Sequence, residues 1–454
     1  MNNLLLQDLR RVFGFTERLK KRPVLLYGVL ILLGMAVAGF VVFKNRTLAA
    51  DEFARIDDLY MNVRVGFFER ALDAVRGRPN LPVLDHEVAY YYYLGTAGKW
   101  LGISTAWKMF LLVQITTAGA VLAVYPTLMY RLTRSLAVAM ASPFLITVFL
   151  GEYLYTFKTS SYWAGAWIIV IALPLCVLLY KRKPDYKSLL MFIGLCLTAA
   201  AANVPRGHAA LPVFIAMGVL AAIKFNKKLL CFLLVLVVMA GSYNLFTHTV
   251  PSVAYKNAGF EDNYFGPWHT LYIGLGFRPN KYGIEYSDDC AVQKAKETDP
   301  EIEYPLDKKE DHYFDILKTE YLTIAKTDPA FFLGTYARKF IKTIQDDIYL
   351  MRVTPYLGHL LLCALALLLF NRYRNMRLRR YAPWAKPFLL CCVICILFGM
   401  IPALIAVPGY VYMQGNLAAC RLFAVGLGLA GVQGLVGYLK RLRNDGERVA
   451  AVCI

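Results

Sequence analysis

Ten stretches of this chain, each about 15 to 25 residues long, are apolar and almost uncharged, and few folds accommodate that pattern. Once out of water, such a stretch must pair its backbone N–H and C=O groups internally, so each is expected to be a membrane-spanning α-helix. The windows are 23–44, 106–130, 136–150, 162–180, 188–204, 208–223, 229–249, 354–371, 387–406 and 416–438. With 58% hydrophobic residues over 454 positions, the chain reads as an all-α polytopic membrane protein with about ten transmembrane helices.

A formal net charge of +19 would suit a nucleic-acid binder if the basic residues formed one patch, but they recur in alternate connections. One set lies before the first window, from Arg10 to Arg22. Arg131 and Arg134 come next, then Lys181, Arg182, Lys183 and Lys187, then Lys224, Lys227 and Lys228. Arg372 to Arg380 and Lys440 to Arg448 complete the pattern. With ten spans all of these fall on one face, which the positive-inside rule makes cytoplasmic, with both termini. Nucleic acid is thereby excluded as a partner, and the membrane is the expected environment.

The resulting organisation is a cytoplasmic basic tail (1–22), an N-terminal membrane module of seven spans (23–249) that includes an outer loop (45–105), and an extracytoplasmic segment (250–353) long enough for a small domain. A C-terminal module of three spans (354–438) and a cytoplasmic tail (439–454) follow. No small-residue cleavage pattern follows the first window, so it reads as an uncleaved anchor. The compact loops point to a bacterial inner membrane. Connections on the basic side are too short to fold alone, so any chemistry is expected on the outer face.

Cysteine and histidine usage narrows that chemistry. Cys176, Cys196, Cys231, Cys363, Cys391, Cys392, Cys395 and Cys420 lie in apolar windows, Cys453 is in the tail, and Cys290 alone is clearly outside, which gives no disulfide framework. Cys392 and Cys395 read as small core residues. The histidines fall in or beside outer loops but show neither HxxxH nor HExxH spacing, so zinc is not expected.

The outer loops carry the candidates. Asp51 and Glu52 open the first one, followed by Phe53, Ile56, Tyr60, Val63 and Phe67 at helical spacing, which predicts a short interfacial helix with Asp51, Arg55 and Asp58 on its wetter face. Carboxylates do not anchor a chain to anionic lipid, so Asp51 is a candidate general base, with Glu52, Asp85 and Glu152 as further acids. Two such carboxylates would equally share a divalent cation, which leaves metal dependence open. His86, between Asp85 and Glu87, is a candidate substrate contact. Trp268 and His269 belong to an aromatic run that suits stacking on a sugar, or the core of a small domain. Further on, Phe314, Leu317, Tyr321 and Ile324, then Phe332, Tyr336, Phe340 and Ile344, recur at helical spacing on either side of Pro329.

Cations on this face are unexpected by the positive-inside rule and so are informative. Arg421 falls a few residues inside the last window, where an arginine must snorkel or pair, and a lipid-linked phosphate would suit its bidentate fork. Arg206 and His208, in the short turn VPRGHA, form a second candidate anion site.

The order of these parts resembles the GT-C superfamily of integral membrane glycosyltransferases. The shared features are one span, an acidic pair (Asp51, Glu52) opening a long outer loop, the run HEVAYYYYLGTAGKW leading into a span, Glu152 at the next outer loop, the Arg-containing turn VPRGHAALP, and Arg421 near the outer start of a late span. Members transfer a sugar from a polyprenyl-phosphate-linked donor to a lipid, glycan or protein acceptor. The resemblance implies an inverting transfer with Asp51 as the base, Glu52 and Glu152 in support, and Arg206, His208 and Arg421 receiving the donor phosphate. The chain departs from one branch in having Glu87 and Val88 where two prolines often follow the histidine, and it lacks a WWDYG-type motif, which disfavours protein N-glycosylation. A polysaccharide polymerase or ligase would use the same donors and a similar layout. A lipid or solute transporter would instead line a path at the bilayer midplane, whereas these charges gather at one surface.

Overall fold

The computed structural model describes residues 22–55, 88–103, 106–155, 163–204, 208–225, 228–257, 267–302, 310–352, 382–406 and 414–452, and among these every regular element is helical. The first helix, α1 (Pro23–Arg55), has 33 residues and carries no acid in its first turn. At 1.5 Å per residue it is about 50 Å long, well beyond a hydrocarbon core of about 30 Å. The break expected near residue 44 is therefore absent. Asp51 and Glu52 sit in the last turns of the helix that begins at Pro23, because Thr47, Leu48, Ala49 and Ala50 offer no cap or breaker to end it. The rest of the expected interfacial helix, from Ile56 onward, lies outside the described residues.

After α2 (Val88–Leu101) comes α3 (Ala106–Thr133), and then α4 (Leu136–Tyr155), α5 (Trp163–Lys181), α6 (Tyr186–Ala201), α7 (Leu211–Lys224) and α8 (Leu229–Asn244) follow through short connections, so neighbours alternate in direction. A π-helical turn (Leu245–Thr249) carries α8 into α9 (Val250–Asn257). Late in the chain α14 (Ala385–Gly399), the short α15 (Ile401–Ile405) and α16 (Gln414–Val452) return to the same bundle. Of the ten apolar windows, all but 354–371 fall on these helices, and that one lies outside the described residues.

One hydrophobic core unites them. Leu122, Tyr125, Ile146, Ile169, Leu173, Val213, Phe388, Cys392, Leu422 and Val425 are all within it, and Cys176, Cys391 and Cys395 fill the same space as small apolar groups. α16 packs along α14, α4 and α5, and α3 packs against α1 and α4. Two glycines permit close approaches of long helices: a Cβ at Gly34 would overlap the Leu122 carbonyl, and one at Gly426 would lie 2.7 Å from the Phe388 ring. Segments Leu229–Ala254, Ala385–Ile405 and Leu417–Gly437 are long and apolar enough to cross a membrane, with shorter apolar helices packed beside them. Leu229, Leu230, Leu234 and Val237 of α8 project outward, a surface suited to lipid and not to water, and membrane association follows.

The connections place the basic residues of the α3–α4, α5–α6 and α7–α8 turns at one end of the bundle. Arg131 and Arg134 end α3, Lys181 to Lys183 join α5 to α6, and Lys224 and Lys228 join α7 to α8. That end is stitched together. Trp384 Nε1 donates to Gln433 Oε1 at 2.6 Å, Lys224 Nζ donates to the carbonyls of Leu179 and Arg182 at 2.7 Å each, and Asp185 caps α6 by accepting from Ser188 N at 2.6 Å.

Residues 267–352 build a second hydrophobic cluster from α10 (Pro267–Gly274), a 3-10 turn (Leu275–Phe277), α11 (Asp288–Thr298), α12 (Glu310–Thr327) and α13 (Pro329–Arg352). Leu317, Tyr321 and Ile324 are buried, as the α12 spacing implies. Asp328 starts α13, accepting from Phe331 N at 3.1 Å, with Pro329 in the first helical position and Lys281 Nζ 2.7 Å from the other carboxylate oxygen. In α13 the apolar row is packed only at its start, where Phe332 and Tyr336 lie against the cluster. Phe340 is 42% exposed, whereas Thr335, Lys339 and Thr343, one step round the helix, are buried.

Candidate functional site at the end remote from the basic turns

Helices α4, α6 and α15 finish, and α5, α7 and α16 begin, at the end opposite the basic turns, and three buried polar groups, Arg421, Asn203 and Lys339, lie toward it. Arg421 is 6% exposed, in the second turn of α16, and its Nη1 donates to the Phe149 carbonyl near the end of α4 at 3.2 Å. Glu152 is one turn further along α4, so the backbone that carries this acid and a buried guanidinium meet across the α4–α16 contact. The side chains of Glu152, Asp51 and Glu52 lie outside the described part of the structure, although the backbone places the last two in the final turns of α1.

A second polar knot surrounds the α6–α7 turn. Asn203, 2% exposed, donates from Nδ2 to Thr247 Oγ1 and accepts from Ala210 N, both at 2.8 Å. It thereby ties the turn carrying His208 to the π-helical turn that carries Thr247 and His248, a type of distortion that recurs at functional sites. Nearby, Tyr93 of α2 donates its hydroxyl to the Val250 carbonyl at 2.8 Å, which fixes α2 against α9. His208 is half-buried, and Arg206, Asp85 and His86 lie outside the described residues.

The third feature is Lys339, with no exposed surface. Its Nζ donates to the carbonyls of Leu404 (2.9 Å), Ile405 (3.2 Å) and Ala406 (2.6 Å), the open C-terminal end of α15. All three ammonium protons are used, and a cation at a helix C-terminus is electrostatically favourable. Burial nevertheless pulls the group down to about 7 from the ordinary lysine value of 10.5. Gly274, the last residue of α10, abuts the same helix end: a Cβ there would overlap the Ile405 carbonyl and stand 2.9 Å from Lys339 Nζ. The outer unit thus docks on the bundle through a lysine and a glycine.

Trp268 and His269 have places inside that unit. Trp268 is half-buried with its ring edge to face with Tyr321, at 6.0 Å between centroids, and Lys318 Nζ lies 5.5 Å above it. His269 is buried, with Nδ1 2.6 Å from the Tyr313 hydroxyl and Nε2 3.0 Å from Asp288 Oδ1, and this chain links α12, α10 and α11. The structure therefore brings Arg421 to the acid-bearing end of α4 and seats Trp268 and His269 in the outer unit's packing.

Sequence reasoning missed Asn203, Tyr93, Tyr313 and Lys339. Asn203 did have a signal, an amide closing an apolar run just before a proline-containing turn. Lys339 had none, since it stands beside Arg338 in an amphipathic segment and resembles any surface lysine. Among the described residues no group of three or more His, Cys, Asp or Glu converges to hold a metal. Compared with protein-family models, with curated proteins and with solved structures, the chain gives no significant match.

Proposed function

We propose that the chain is a GT-C-like membrane glycosyltransferase that moves a sugar from a polyprenyl-phosphate-linked donor to a lipid or cell-envelope glycan. The observation that carries this reading is Arg421: a guanidinium 6% exposed, held by a main-chain carbonyl one turn from Glu152, at the end of the bundle away from the basic turns. The planar donor fork of an arginine at this depth suits a lipid-linked phosphate at the outer leaflet. About ten spans, cytoplasmic termini and a bacterial inner membrane belong to the same proposal, because they turn the acids and Arg421 toward the outer face.

In that geometry the carboxylate of Asp51 takes the proton of an acceptor hydroxyl as its oxygen attacks the anomeric carbon from the face opposite the phosphate. The bond from the anomeric carbon to the phosphate oxygen breaks with its electron pair, and Arg421, with Arg206 and His208, receives the phosphate that leaves. Configuration at the sugar inverts. Glu52 and Glu152 support the base or share a divalent cation.

The test is transfer of labelled sugar from a polyprenyl-phosphate donor pool into membrane glycans by wild type, Asp51→Asn and Arg421→Ala at matched expression. Wild type should transfer. The Asn variant should be inactive, and the Ala variant should be reduced by at least about a hundredfold, as for loss of a group that receives developing charge. Transfer of whole polymers with no monosaccharide transfer would instead favour the polymerase or ligase reading, and full activity of Asp51→Asn would overturn the base assignment.

A further inference from the structure

At the basic end, between α5, α6, α7 and α8, lies a cavity of about 280 Å³ walled by Leu179, Phe192, Met217, Leu220 and Val235. α8 forms its outer side, with Leu234 and Val235 at the wall and Leu230 and Leu233 exposed, so among the described residues that side of α8 is an apolar surface suited to lipid. The chemistry of its rim is one-sided. Lys181, Lys183, Lys187 and Lys228 are exposed around it, and Arg182 is half-buried. Lys224 at the wall donates to the Leu179 and Arg182 carbonyls, and Asp185, the one acid of the α5–α6 turn, already accepts from Ser188 N.

An apolar slot opening to the bilayer under a crown of cations matches one class of ligand, a molecule with a hydrocarbon tail and an anionic head. We propose that this cavity takes an acyl chain of an anionic glycerophospholipid from the adjoining leaflet, with the lipid phosphate held by Lys183 and Lys187. Charge complementarity selects the head, and the dry wall accepts the chain. The site is remote from Arg421 and serves no step of the transfer, so it stands or falls independently of the enzymatic reading. Its effect is to hold α8 against α6 and α7, the helices it packs on among the described residues.

The full-length protein, extracted with an equimolar mixture of phosphatidylglycerol and phosphatidylcholine, is examined by native mass spectrometry for retained lipid. Wild type should keep phosphatidylglycerol preferentially. Cys231→Trp and Leu234→Trp, which fill the mouth from an exposed helix face and spare the packed core, should abolish that retention. Lys183→Gln with Lys187→Gln should lower the ratio of phosphatidylglycerol to phosphatidylcholine by roughly fivefold for each lysine removed. Equal retention of both lipids by wild type overturns the proposal, as does undiminished phosphatidylglycerol in both tryptophan variants. Retention of neither lipid by wild type, the outcome if the chain's own basic tail filled the cavity, overturns it too.

Discussion

Replacing Lys339 by methionine keeps the length of the side chain and removes its three donors. The ammonium makes three bonds of 2.6 to 3.2 Å to the α15 carbonyls. A hydrogen bond to a charged group contributes about 1.5 to 3 kcal/mol, so the gross loss is roughly 4.5 to 9 kcal/mol. Against this stands the cost of burying the charge, several kcal/mol, which the variant no longer bears. The net loss should be about 3 kcal/mol, and it should fall on docking of the outer unit and not on the whole fold. Hydrogen exchange resolves such local openings: amides of α13 and α10 should exchange roughly a hundredfold faster in Lys339→Met, while those of α5 and α16 are unchanged. A rise below about threefold in α13, with exchange limited by the opening equilibrium, would refute the account of Lys339 as the docking group. The pH dependence gives a second handle. Below pH 7 the lysine is charged in both folded and unfolded chains, makes all three bonds and bears the full burial cost; between about 7 and 10.5 the folded form has shed one proton and keeps two donors for the three carbonyls, while the unfolded form is still charged. The unfolded state then binds more protons, so the contribution of Lys339 rises with pH across that window, by at most about 1.4 kcal/mol per pH unit. The stability gap between wild type and Lys339→Met should widen from pH 7 to pH 9.5, and a constant gap would show that burial does not depress the lysine.

Gly274→Ala should undock the same surface from the other side, at a cost of about 1 to 3 kcal/mol, and α10 amides should lose protection as they do in Lys339→Met. Asn203→Leu removes two buried bonds and leaves Thr247 and the Ala210 N–H unpaired, so the thermal midpoint of the full chain should fall, by about 2 to 3 kcal/mol in stability. Tyr125→Phe should act in the opposite direction: its hydroxyl is buried in the bundle core with no hydrogen-bond partner among the described residues, and deleting it should gain about 1 kcal/mol, read as a higher midpoint in the same melt.

How far the sequence alone reaches depends on what the physics leaves local. Apolar windows such as 387–406 and 416–438 are visible as helices because a charge-free run of that length has one way to satisfy its backbone, and α14, α15 and α16 lie there. The α13 start is equally legible, since Asp328 and Pro329 are a cap and a first-turn residue whose preferences are intrinsic. The buried face of α13 is not. Phe332 and Tyr336 pack as the apolar row implies, but three open carbonyls on a helix some 65 residues away draw Lys339 inward and leave Phe340 at the surface, a demand that no local window contains. Arg421 was conspicuous because charge is rare in lipid, whereas its partner, a main-chain carbonyl of Phe149, carries no mark in any sequence.

The tie between Lys339 and the end of α15 also has an order in time. Synthesis runs from the N-terminus, so the lysine is made some 65 residues before the carbonyls it serves. When α14 and α15 are made, the unit of residues 267–352 has already been translated and its donor stands ready, so the last helix turn meets an ammonium. A circularly permuted chain in which residues 267–352 are translated last would deliver the same contacts in the wrong sequence, with α15 ending in three bare carbonyls until its partner arrived. Biogenesis, and not only the finished stability, is thus written into the position of one lysine.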